Sequence, residues 1–125
     1  MNERTLRTPI GTNAMHLCVD MQRMFAEPTE WKMPWSAKVL PHIAALVASR
    51  PDKTIFTRFI PAQRPGEGLG MWKRYYEHWV YMTVEILGAG KLELVPALAR
   101  FSPPATLVDK HVYSPWLKTD LHPRL

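Results

Sequence analysis

The order of elements in this sequence predicts an α/β fold, a three-layer α-β-α arrangement with a parallel sheet and Rossmann-like topology. Three observations carry that expectation. Short apolar, β-branched runs alternate with helically spaced segments in the order strand, helix, strand, helix, helix, strand. Each such run ends in a charged residue, as buried parallel strands do when their chemistry begins at their C-terminal ends. The 125 residues are 46% apolar and 22% charged, which matches a globular domain and excludes intrinsic disorder. A compact chain of this size hides roughly two-thirds of the surface its unfolded form exposes. That suffices for one domain, residues 1–125, in which 1–13 form an N-terminal arm.

The first strand is Met15-His16-Leu17-Cys18-Val19, ending at Asp20. Phe25 to Trp35 holds two prolines and two tryptophans without a steady period and reads as a loop. Ser36 is placed to cap a helix whose apolar positions Val39, Leu40, Ile43, Leu46 and Val47 keep the 3.6-residue spacing, and Pro51 stops it. Thr54-Ile55-Phe56-Thr57 is the second strand, followed by Arg58. Pro61 to Gly70 is a long connection of the functional kind, rich in proline and glycine. From Trp72 through Tyr75, Tyr76, Trp79, Val80 and Thr83 to Ile86 the spacing predicts one helix, closed by Gly88 and Gly90. Leu92 to Ala99 is a short helix interrupted or capped by Pro96. Ala105-Thr106-Leu107-Val108 is the third strand, ending in Asp109-Lys110. Thr119 to Leu125 starts a further helix.

Several classes of function fall away on composition. Cys18 is the one cysteine, so neither an intramolecular disulfide framework nor a cysteine-rich zinc site is available. The longest apolar run, Ile43 to Ala48, is far short of the roughly 20 residues a membrane span needs. Met1 to Ala14 lacks the apolar core of a secretory signal, and a reduced, cytoplasmic location is the default expectation. The net charge of +5 leaves nucleic acid or an anionic substrate open. Twelve prolines are about twice ordinary usage, roughly 5%, and are expected between the periodic segments.

Ligands of parallel sheets bind beyond the C-terminal strand ends, where Asp20, Arg58 and Lys110 converge. An aspartate and a lysine at the mouth of an apolar site make an acid/base pair, because a neighbouring ammonium favours an ionised carboxylate able to accept a proton. The bland alternative is a salt bridge at the sheet edge. Arg58 has two readings as well, an arginine solvated or paired on the surface and an anchor for a substrate carboxylate.

Several short motifs carry a resemblance. Leu17-Cys18-Val19-Asp20-Met21-Gln22 with Phe25 is similar to the opening signature of the isochorismatase-like cysteine hydrolases. Leu94-Val95-Pro96, then Val108-Asp109-Lys110, then Tyr113-Ser114-Pro115-Trp116, and finally Thr119-Asp120-Leu121 resemble that family's later motifs in order and spacing. The resemblance runs from about residue 13 to the end. It implies that Asp20 is a general base and that Lys110 holds base and substrate and offsets developing negative charge. In the family a cysteine thiolate completes the triad and attacks a carbonyl or imine carbon, while the vinyl-ether reaction uses the aspartate as an acid without a covalent step. Phe25, Arg58 and Trp116 are candidates for lining the substrate pocket.

The family's cysteine lies after a fourth strand, beyond Lys110, and Cys18 does not match it. Cys18 precedes Asp20 by two positions on one strand face, about 6.6 Å away, too far for direct proton transfer. It reads as core. The chain therefore resembles the N-terminal part of such a hydrolase, truncated after the third strand and supplying only Asp and Lys. Without a fourth strand, the first becomes an exposed edge, expected to pair with a second copy or a complementing segment. No cofactor is implied. Asp109-x-His111 and Asp120-x-His122 have ligand-like chemistry, but they lie outside the position of the family's metal motif and read as solvated loops. The Trp72–Trp79 segment, where bases and rings mix, is either an amphipathic helix packed on the sheet or a stacking surface for nucleic acid. The functional expectation is a hydrolase acting on a small metabolite at an amide or vinyl-ether bond, inactive as this chain alone. The alternative is a non-enzymatic remnant that pairs with another subunit or binds nucleic acid.

Overall fold

The structure is a computed structural model that describes residues 6–125; part of the expected arm, residues 1–5, lies outside the described residues. Its centre is a parallel sheet of three strands, β1 (His16–Val19), β2 (Thr54–Phe59) and β3 (Thr106–Lys110), in the order β1-β2-β3. The register pairs Cys18 with Phe56 and Val19 with Thr57, then Thr57 with Val108 and Phe59 with Lys110. β2 is the middle strand, and every residue of it except Arg58 is buried. That explains its nearly unbroken apolar and β-branched sequence, since a central parallel strand is covered on both faces.

Strand alternation divides the core. Cys18 and Phe56 face Val47 of α2 (Ser36–Ser49) and Leu98 of α5 (Pro96–Ala99). Ile55 and Val108 face the opposite way, onto Leu121 of α6 (Leu121–Arg124). Helices thus cover both faces, as the alternating order of elements predicts. A third cluster caps the C-terminal end of the sheet, where Met24 of α1 (Arg23–Ala26), Phe59 and Met82 are buried together.

Three local expectations are corrected. Ser36 makes no capping hydrogen bond; it is the first helical residue, behind Trp35. Pro41 lies inside α2, so the prolines do not all fall between periodic segments. The helix expected from Trp72 to Ile86 is three pieces, α3 (Met71–His78), a 3-10 turn at Val80–Met82, and α4 (Val84–Leu87). Tertiary hydrogen bonds break it. The Val84 and Glu85 amides donate to the carbonyls of Ala62 and Gln63 in the preceding connection, so they cannot continue the i to i−4 ladder. Gly88, at φ 92°, ends α4 in a conformation that suits glycine. The connection after β2 thereby pins this helical region above the C-terminal sheet edge.

Candidate active site

Asp20 and Lys110 meet at that edge. The Lys110 ammonium lies 2.9 Å from Asp20 Oδ2, and the Thr57 hydroxyl donates to Asp20 Oδ1 at 2.8 Å. Lys110 also donates to the Tyr113 carbonyl at 2.6 Å. Its side chain is 4% exposed, while that of Asp20 is 21% exposed. The cation is therefore enclosed and the carboxylate reaches the surface of the site.

The backbone explains how Asp20 arrives there. Its φ of 54° is left-handed, a conformation that aspartate tolerates better than most residues. The Asp20 amide donates to the Thr57 carbonyl at 3.1 Å, extending the β1–β2 ladder while the chain turns. Simple alternation would place Cys18 and Asp20 on one face. The turn separates them instead: Cys18 packs with Phe56 and Leu107, while the Asp20 carboxylate joins Thr57 and Lys110. Burial, with the Asp20 charge as a smaller contribution, pushes the Cys18 thiol up to about 11.

Gln22 braces this end of the sheet. Its side-chain amide donates to the carbonyls of Phe59 and Leu92, both at 2.9 Å, and accepts from the Phe59 amide at 2.7 Å. Fully buried, it satisfies a main-chain donor and acceptor of Phe59 that β1, ending at Val19, leaves open. Sequence reasoning used Gln22 only as a motif letter; nothing in its local pattern showed this role.

Two hollows open beside Asp20 and share Asp20, Phe25 and Met33. One, of about 340 Å³, continues past Met21, Trp35 and Val39. The other, of about 440 Å³, is walled by Trp31, Phe59, Tyr75 and Tyr113. Phe25 stacks on Trp31 with ring centroids 6.2 Å apart, and Trp31 meets Tyr75 at 6.0 Å. Burial first, and the neighbouring Tyr113 hydroxyl second, push the Tyr75 phenol above its ordinary range, so it remains a hydrogen-bond donor. The arrangement offers a proton acceptor, a fixed cation and aromatic walls.

Arg58 is not gathered into this group. It lies within β2 and spans to β3, donating to both oxygens of Asp109 at 2.7 and 2.8 Å, with Glu93 at 3.4 Å. Trp116 is half-exposed and sets its ring edge against His122. Asp120 pairs with Arg124 at 2.8 Å. The rings of α3 are packed: Trp72 touches Tyr75, Tyr76 and Tyr113, while Lys73 and Arg74 face solvent.

With this geometry in hand, comparison with known proteins is informative. A family model described as the Isochorismatase domain matches residues 14–125. A cysteine hydrolase from Pseudomonas syringae pv. phaseolicola 1448A is 30% identical with a TM-score of 0.72, covering 100% of this chain and 59% of its own. The N-carbamoylsarcosine amidase from Thermoplasma acidophilum is 15% identical (TM-score 0.66, 90% of this chain and 60% of that one). The pyrazinamidase of Pyrococcus horikoshii, solved with zinc, is 18% identical (TM-score 0.64, 90% and 63%). At those two identities the likeness is one of fold. No curated protein sequence matches the chain. The chain spans about three-fifths of the length of these structural relatives. Since the match takes in β1 and everything after it, this polypeptide belongs to the isochorismatase family.

Proposed function

We propose that Asp20 and Lys110 are the proton-transfer half of a hydrolase site for a small metabolite carrying an amide or vinyl-ether bond. The observation that carries this reading is the 2.9 Å contact between an enclosed ammonium and a carboxylate open to two apolar hollows. Asp20 exchanges the proton with the nucleophile or substrate, and Lys110 holds it in place and offsets negative charge that develops on the reacting group. Phe25 and its aromatic neighbours receive the flat, apolar body of the substrate.

Amide cleavage by the covalent route needs a thiolate beside this pair. Cys18 does not serve, because it is buried in the core behind the sheet and its thiol is held protonated. These 125 residues supply the aspartate and the lysine, and the polypeptide alone gives no amidase turnover. Among the described residues no strand pairs the outer edge of β1, and we propose it as the place where a second copy or a complementing segment pairs.

The test is a panel of aromatic amides and vinyl ethers incubated with the 125-residue chain and with Asp20→Asn. The expected result is no amide hydrolysis by either protein, with any vinyl-ether cleavage lost in Asp20→Asn. Amide turnover by the unmodified chain would overturn the division of labour proposed here. Vinyl-ether turnover unchanged in Asp20→Asn would remove Asp20 from the chemistry.

A further inference from the structure

Among the described residues three threonines are buried, Thr54, Thr57 and Thr83. Two of them spend the hydroxyl proton locally. Thr54 donates to the Arg50 carbonyl at 3.0 Å, and Thr83 to the Val80 carbonyl at 2.9 Å. Thr57, on the central strand, donates instead to a carboxylate 37 residues away in the chain, Asp20 Oδ1 at 2.8 Å. Its hydroxyl oxygen also accepts from the Asp20 amide at 3.2 Å. Among the described residues that hydroxyl bonds to nothing but Asp20.

Packing does not call for a hydroxyl here. Valine has nearly the same shape, suits a parallel strand covered on both faces, and carries no polar group that burial would penalise. The contacts instead converge on one turn. Asp20 stands at φ 54°, a left-handed conformation that costs free energy outside glycine. The hydroxyl bridges its amide to its carboxylate across that turn. Thr57 is a stiff donor, because its β-branch restricts χ1 and its main chain is held in register between Val19 and Val108.

Lys110 meets the other carboxylate oxygen at 2.9 Å, but an ammonium is a point charge with three rotatable donors and fixes little direction. Direction comes from the hydroxyl. We propose that Thr57 is a positioning residue of the candidate active site: its hydroxyl holds the Asp20 carboxylate in the orientation used for proton transfer. The inference rests on the proposed role of Asp20 and adds a residue of the central strand that touches no substrate.

The test reads the orientation of Asp20 rather than turnover. In the isotope-labelled full chain, three-bond couplings from the Asp20 carboxyl carbon to its main-chain nitrogen and carbonyl carbon report χ1. One rotamer is expected in the unmodified protein. Thr57→Val is expected to raise the share of the other rotamers about tenfold, the weight of one hydrogen bond to a charged group. Thr57→Ser keeps the hydroxyl and is expected to restore the single rotamer. A lower melting temperature in Thr57→Val with unmoved couplings would reduce Thr57 to packing and overturn the proposal. So would failure of Thr57→Ser to restore them. If Thr57→Val does not fold, the hydroxyl proton decides. It is expected to exchange slowly enough to be observed, and to shift upfield in Asp20→Asn, whose amide oxygen is a weaker acceptor. A proton unobserved in the unmodified chain, or unmoved in Asp20→Asn, would overturn the proposal. Unmoved couplings beside vinyl-ether turnover lost in Asp20→Asn would sink the positioning role alone. The expected couplings beside turnover unchanged in Asp20→Asn would sink the hydrolase reading, with the orienting contact itself measured.

Discussion

β3 ends in two neighbouring charges, Asp109 and Lys110, and alternation sends them to opposite faces of the sheet. Each finds an opposite charge from another strand, but the two pairs differ in construction. Arg58 grips Asp109 with a planar fork that fills both carboxylate oxygens, leaving little to offer a ligand. Lys110 is a compact charge touching one oxygen of Asp20, while a threonine hydroxyl takes the other. Exposure differs as well. The Lys110 and Asp20 side chains are 4% and 21% exposed, those of Arg58 and Asp109 17% and 41%. A carboxylate saturated by a guanidinium in water is a strut between strands; one that meets an ammonium and a single hydroxyl beside an apolar hollow keeps acceptor capacity, and it is the one we propose for proton transfer.

Removing one partner from each pair breaks the comparison most sharply. Asp20→Ala leaves the enclosed Lys110 ammonium with only the Tyr113 carbonyl, and is expected to cost about 3 kcal/mol in urea denaturation. Adding Lys110→Met in that background is expected to recover much of the loss. A cost similar to that of Arg58→Ala would mean the two pairs are equally solvated.

A neutral control sits at the same rim. Gln22→Ala strips partners from the main chain of Phe59 and is expected to cost about 2 kcal/mol, with faster hydrogen exchange at the Phe59 amide. Unchanged exchange there would show that water replaces the side chain. Arg58→Ala is expected to cost about 1 kcal/mol or less, and the cost should shrink as salt rises.

The smallest effects are pH-linked. Hydrogen bonds from Arg23 and Lys91 hold the Glu27 carboxyl down at about 2, below its ordinary 4.5. Stability from this cluster is therefore full above about 4.5 and is lost as pH falls through 2. Cys18 works in the opposite direction. Its thiol is raised from 9.0 to about 11, so its contribution is present below 9.0 and lost as pH rises through 11. Carboxyl NMR titration of Glu27, and alkylation of Cys18 against pH, read the two midpoints directly.

Much of the architecture was visible in the chain because it depends on local pattern. The apolar runs around Cys18, Phe56 and Val108 could be buried only as strands, and their charged ends marked the rim. The meeting of Asp20 with Lys110 was legible in the same way. The partner of Arg58 was not: its position at a strand end favoured a solvated or paired arginine over a substrate anchor, and only the register that sets Asp109 opposite it shows which carboxylate it holds. The long helix after Trp72 was misread because its spacing continues smoothly while its amides do not. Val84 and Glu85 bond to a loop twenty-two residues earlier in the chain, and no local period records that.

By itself, the sequence determined the class of sheet, the order of its elements and the charged residues at its C-terminal rim. Hydrophobic spacing and chain punctuation act over a few residues, and those features need no more. The tertiary structure decided which charges pair, that Asp20 turns away from Cys18, and that Gln22 and Tyr76 are enclosed. Each of these depends on strand register, a left-handed turn or packing between distant segments, where partners are chosen by geometry rather than by neighbourhood in the chain.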